Sequence, residues 1–334
     1  MNGLDLPLIA VVVIAAAVLL YVLLDGFDLG VGILFPLARS PADRDVMMAA
    51  IAPYWDGNET WLVLGGGGLF ALFPGAYAIL MPAFYLPVMG MLLALILRGV
   101  AFEFRLHGRR RGKRLWTIAF AAGSTGAAFA QGLVLGGFVQ GVKSADGAFA
   151  GGPVDWATPY SLLTAVGLVA GYALLGAAWL VGKTENDLRD RSYRQLPRLV
   201  LGVSAFLAVG LAYALVEHLQ IMHRWLERPY LLVFPVLGAG AACGLGLGIR
   251  RRIDRLPFAM TALIFLAAFG TLAVSFWPYM IPFSVTVSQA ASPAASLDFM
   301  FWGAGLVVAP LILLSTATVY RAFKGKTAEP GDDD

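Results

Sequence analysis

Four acidic side chains and one arginine stand inside stretches that are otherwise apolar. Asp25 and Asp28 interrupt "YVLLDGFDLGVGIL", Asp56 and Glu59 interrupt "YWDGNETWLVLGGGG", and Arg98 interrupts "MLLALILRGVAFEF". Residues three apart share a helix face, so Asp25 pairs with Asp28 and Asp56 with Glu59. A charge at the centre of a membrane span costs about 2.5–3.5 kcal/mol on insertion scales, and acids retained there mark proton relays or ion pairs. One guanidinium cannot neutralise four carboxylates, so at least one must hold a proton or reach water. The chemistry these types and spacings allow is proton transfer along Asp56, Asp28, Asp25 and Glu59, with Arg98 as the counter-charge of a structural ion pair. The blander reading is a buried pair alone, with Asp25 bonded to backbone or water. Trp55 and Trp61 flank the second pair and read as packing residues or as the lining of a gas path.

The elements that must position these residues follow from composition. The chain has 334 residues, 59% hydrophobic and 13% charged, with a mean hydropathy of +0.76. Soluble domains are about one-quarter charged, so this much apolar surface must face lipid and the chain is an all-α polytopic membrane protein. Nine apolar stretches are long enough to cross: 6–35, 47–73, 76–104, 115–141, 157–182, 197–218, 229–249, 256–282 and 297–322. They predict a single integral membrane domain over 1–322, arranged as two four-helix bundles plus one extra helix, with a polar tail over 323–334. The first stretch lacks a basic leader and a small-residue cleavage site and reads as a retained span.

Lys and Arg set the orientation. Arg39 and Arg44, the run Arg105 to Arg114, the run Lys183 to Arg198, Arg250 to Arg255, and Arg321 to Lys326 all fall on alternate loops. The opposite loops hold Lys143, Arg224 and Arg228. This places the N-terminus outside and the C-terminus in the cytoplasm. It also explains the pI near 9.0 without any nucleic-acid partner. At about 1.5 Å per residue, Asp28, Asp56 and Arg98 fall roughly 10–14 Å inside the cytoplasmic ends of the first three spans. They are expected to meet there as one polar layer, because spans joined by short loops are neighbours.

Histidine is scarce. His107, His218 and His223 lie at loops, whereas a haem buried between helices takes His, Met or Cys ligands. Met89 and Met260 read as core residues, and the single cysteine, Cys243, as packing. The expectation is that this chain itself binds no haem and no metal.

The segments "DGFDLGVGIL", "IAPYWDGNETWLVLGGGGLFALFP", "FYLPVMGMLLALILRGVAFEFR" and "MFWGAGLVVAPLILLSTATVYRAF" together resemble subunit II of the cytochrome bd-type quinol oxidases, and the compact length is similar to the cyanide-insensitive branch. The resemblance covers the first hundred residues closely, the last spans more loosely and the middle in span layout. It implies an electrogenic complex that oxidises ubiquinol or menaquinol and reduces O2 to water. A larger homologous subunit I would carry two b-type haems, one d-type haem and the quinol site. Subunit II would pack against it as a haem-free, nine-span partner surrounded by lipid. The family also leaves room for a bound quinone and a small single-span accessory subunit. By motif position, Asp56 matches the aspartate of a cytoplasmic proton path, Asp28 the second acid of the span-one pair, and Trp61 a residue near a proposed oxygen route. Glu59 departs from the glutamine of some members and adds a charge. The alternative function is a proton-coupled secondary transporter, which also uses buried carboxylates. The crowding of charges into the first three spans favours a partner surface over an autonomous carrier.

Overall fold

The computed structural model describes residues 5–107, 110–217 and 219–327; the tail beyond 327, Arg109 and His218 lie outside the described residues. Helix α1 (Leu6–Leu34) starts where the Asp5 carboxylate accepts the Leu8 amide at 3.1 Å. It ends in a 3-10 turn at Phe35–Leu37. Helix α2 (Pro41–Ala49) is short and opened by a reciprocal Ser40–Asp43 cap. Then come α3 (Trp55–Leu72), α4 (Pro74–Ala83), α5 (Tyr85–His107) and α6 (Arg110–Gln140). A hairpin of β1 (Ser144–Ala145) and β2 (Ala148–Phe149) leads to α7 (Pro159–Lys183), α8 (Asn186–Glu217), α9 (Leu219–Glu227), α10 (Val233–Arg251) and α11 (Leu256–Phe276). A second hairpin, β3 (Tyr279–Ile281) with β4 (Val285–Thr286), precedes α12 (Val287–Ala290), α13 (Ala294–Phe299), a π-helical turn over Met300–Gly305 and α14 (Leu306–Ala322).

Among the described residues seven helices are long and apolar enough to cross a membrane, and nine spans result if each of two bent helix pairs counts as one. Several predicted boundaries move, and proline accounts for most of the shifts. The predicted 47–73 span is split: α2 ends at Ala49, and α3 begins at Trp55, after a turn that contains Pro53. Proline has no amide to donate into a continuous helix. The predicted 76–104 span is also two pieces. α4 leaves α3 at 120°, and α5 restarts at Tyr85 and crosses alone. The predicted 256–282 span ends at Phe276, just before Pro278. The predicted 297–322 span bends by 42° through its π turn, upstream of Pro310.

Helices α1, α3, α5 and α6 form one group and α7, α8, α10 and α11 the other, joined where α7 meets α1 and α6. α14 buries none of its residues fully, but Ile312 packs beside Trp61, and Val319 and Tyr320 pack against the core. The join is close because glycines line it. A Cβ on Gly30 would lie 1.8 Å from the Tyr172 carbonyl oxygen, and one on Gly176 would lie 2.3 Å from the Gly30 carbonyl carbon. Without a hydrophobic drive between helices in lipid, such small-residue contacts are what let backbones approach. The enclosed half of α1, from Asp25 onward, is buried almost continuously.

Candidate functional site

The buried half of α1 carries the DGFD motif into the join, and the structure gathers most of the predicted residues around it. Asp25 is fully buried and Asp28 is 1% exposed. Arg98 comes from α5 and is 2% exposed. Its Nη1 donates to Asp25 Oδ1 at 2.5 Å and its Nη2 to Glu59 Oε1 at 2.5 Å. The planar fork thus ties α1, α3 and α5 together, which one lysine ammonium could not do with the same geometry. Its guanidinium carbon lies 5.9 Å from the ring centroid of half-buried Trp55, within cation–π range.

Asp28 meets an amide instead of a cation. Asn58 Nδ2 donates to Asp28 Oδ2 at 2.7 Å and to the Leu24 carbonyl at 3.2 Å. Asn58 Oδ1 accepts from the Tyr320 hydroxyl at 3.1 Å. Asn58 is 1% exposed and was missed in the sequence, although an amide between Asp56 and Glu59 in an apolar helix was itself a signal. A second missed set adjoins Asp25: Gln131 Nε2 donates to the Tyr21 hydroxyl at 2.7 Å, and the Tyr172 hydroxyl donates to Gln131 Oε1 at 2.7 Å. Tyr21 is one helical turn before Asp25, so this polar file continues the cluster along α1. A narrow crevice with about 180 Å³ of free space, too thin for a water-sized sphere, is lined by Asp28, Ile51, Trp55, Arg98, Phe102 and Phe120. Asp28 Oδ1 and Arg98 Nε face their surroundings without a hydrogen-bond partner among the described residues.

Asp56 does not join the cluster. Because α3 begins at Trp55, Asp56 sits in its first turn and not deep in a span, and it is exposed. An acid there suits the positive end of the helix dipole. It shares a helix edge with Glu59, whose side chain is 28% exposed and bridges inward to Arg98. Trp61 lies further along α3, 3% exposed and packed with Ala17 and Tyr21. The expected single layer is therefore a buried group of Asp25, Asp28, Glu59, Arg98 and Trp55, with Asp56 on the outside.

The basic loops below the cluster are braced by ion pairs. Arg105 Nη1 reaches Asp45 at 2.8 Å, and Arg191 grips both oxygens of Asp43 at 2.7 and 2.9 Å. Burial pushes the Asp43 carboxyl up, but the Arg191 fork and the Ser40 amide outweigh it and hold Asp43 below the ordinary carboxylate range. Burial likewise raises Asp254, and bonds from Arg189, Tyr193 and Lys326 bring it below that range.

Among the described residues no three His, Cys, Asp or Glu side chains converge as a metal site. His223 is exposed, Met89 is 40% exposed on the outer face of α5, and Met260 packs against Gly244.

The geometry has counterparts among known proteins. Residues 6–323 match the family model described as cytochrome bd terminal oxidase subunit II. The chain is 30% identical to a protein named cytochrome bd-I ubiquinol oxidase subunit 2 from Escherichia coli (strain K12), over 90% of each chain. It is 29% identical to cytochrome bd ubiquinol oxidase subunit 2 from Bacillus subtilis (strain 168), over 91% of this chain and 92% of that one. A chain in the structure of bd oxidase from Geobacillus thermodenitrificans superposes with a TM-score of 0.69, covering 97% of this chain and 99% of that chain at 11% identity, a likeness of fold alone.

Proposed function

Because the chain belongs to the cytochrome bd terminal oxidase subunit II family, we propose that it is the haem-free half of a bacterial quinol:O2 oxidoreductase that brings cytoplasmic protons to a haem-bearing subunit I. The observation that carries this reading is the position of Asp56. It is an exposed acid at one end of an apolar helix, one turn from Glu59, which connects through Arg98 to the buried Asp25. A charge left on a lipid-facing surface is costly, whereas the same charge against a partner subunit can hand protons across. The surrounding face suits burial against a protein: Val63 is 72% exposed, Phe70 61% and Ile96 62%, and Cβ positions at Gly66 and Gly67 meet nothing within 4 Å.

In this reading the present chain supplies no redox chemistry. Quinol oxidation and O2 reduction belong to the two b-type haems and the d-type haem of the partner. This chain's residues hold and orient. The Arg98 fork fixes Glu59 beside Asp56, and Asn58 fixes Asp28. Chemical protons drawn from the cytoplasm, with quinol protons released outside, would charge the membrane without a pump. A bound quinone and a small accessory subunit remain part of the proposed complex, and Trp61 and Trp55 part of a packed wall or an oxygen path.

The test is Asp56→Asn in the intact complex. Quinol-driven oxygen uptake should fall by roughly 10²-fold or more, as for loss of a proton-transfer group, while the haem spectra stay unchanged. Normal turnover in this variant would remove Asp56 from the path.

A further inference from the structure

Helix α14 buries none of its residues, yet the chain just beyond it is held firmly at one point. That point is Lys183, the last residue of α7, whose side chain is 8% exposed. Its ammonium has three protons, and each finds an oxygen: the Tyr54 hydroxyl at 2.7 Å, the Gly325 carbonyl at 3.0 Å, and the Phe323 carbonyl. Tyr54 donates to the same Phe323 carbonyl at 2.5 Å. The cation also lies 5.0 Å from the Tyr54 ring centroid and 5.2 Å from that of Trp179. The strap over 323–327 then folds back. The Thr327 amide donates to the Lys183 carbonyl at 2.8 Å, and Lys326 reaches Asp254 at 3.3 Å and Glu185 at 3.5 Å.

Burying an ammonium against neutral oxygens is costly, so this grip calls for a reason. The direction in which it leads supplies one. Tyr320, in the last turn of α14, lies with its ring centroid 4.6 Å from that of Tyr54. Its hydroxyl donates to Asn58, and Asn58 donates to Asp28. Releasing the strap loosens the end of α14 and, with it, the tyrosine that covers the Asn58–Asp28 pair. Val319 and Tyr320 also pack against the core at that end, so the strap acts together with this packing.

We propose that Lys183 is a positioning residue for Asp28: by gripping the Phe323 and Gly325 carbonyls it latches α14 and the strap over the approach to Asp28 from the end that carries the basic loops. This approach is separate from the exposed Asp56 edge. The inference deepens the proton-handling reading above and rests on it for its purpose, though its geometry stands independently.

The test uses the whole complex in everted membrane vesicles, a water-soluble carbodiimide with glycine ethyl ester, and mass spectrometry of the modified peptides. The variants are Lys183→Met and Tyr54→Phe; the second keeps the ring and loses one hydroxyl, and it answers the question should Lys183→Met fail to assemble. Modification of Asp28 should rise by roughly tenfold or more, as expected for losing a hydrogen bond to a charged group, while Asp25 under its Arg98 fork stays unmodified. An unchanged Asp28 would overturn the proposal. So would a joint rise of Asp25 and Asp28, which would make Lys183 a general brace. The readout does not depend on turnover, so a failed Asp56→Asn test would leave this result intact, and the reverse also holds.

Discussion

Replacing Arg98 by leucine measures how much the buried fork contributes to holding the helices in place. Asp25 is fully buried and Arg98 is 2% exposed, so the variant leaves a carboxylate in the join without its cation. Removing one partner of such a buried pair costs about 3–5 kcal/mol. The Glu59 arm adds little, because that side chain is 28% exposed and exposed pairs contribute about 0–1 kcal/mol. For a chain of this size 1 kcal/mol moves the melting temperature by about 2 °C. Arg98→Leu should therefore melt about 6–10 °C lower in detergent, followed by tryptophan fluorescence. The double variant Arg98→Leu with Asp25→Leu removes both charges and fills the space with apolar atoms. It should recover to within about 1–2 kcal/mol of the parent, since apolar replacement of a buried pair is often neutral. Together with Asp25→Leu alone the set closes a double-mutant cycle and isolates the coupling. If Arg98→Leu costs less than about 1 kcal/mol, or if the double variant is no better than the single, the account of Arg98 as the cation of a desolvated cluster is wrong.

Two further outcomes follow from packing and pH. Gly30→Ala puts a methyl 1.8 Å from the Tyr172 carbonyl oxygen and should destabilise the α1–α7 join by about 1–3 kcal/mol; Gly66→Ala, which meets nothing within 4 Å, should leave the melting temperature of the isolated chain unmoved, and equal losses at both sites would refute the crossing. Asp43 lies below the ordinary carboxylate range in the fold, so its contribution is full above its unfolded value and is lost as pH falls through the folded one. Asp43→Asn should thus lower the melting temperature near neutral pH and much less near about pH 3; the same difference at both pH values would detach Asp43 from the ion pair.

The intramembrane acids, Arg98, the motif DGFDLG followed by WDGNE, the all-α class and the family were all legible in the sequence. Hydropathy and i to i+3 spacing are local properties, so reading them needs no knowledge of neighbours. The tertiary structure alone decided which acids meet Arg98. Pro53 and the turn around it delay α3 until Trp55, and each residue of delay rotates a helix face by about 100°. That delay leaves Asp56 outside and brings Asn58 against Asp28. The grip of Lys183 on Phe323 was equally invisible, because a lysine at a helix end reads as one more basic loop residue. Its oxygens are backbone carbonyls, which every residue possesses, and only the path of the folded chain determines which of them arrive.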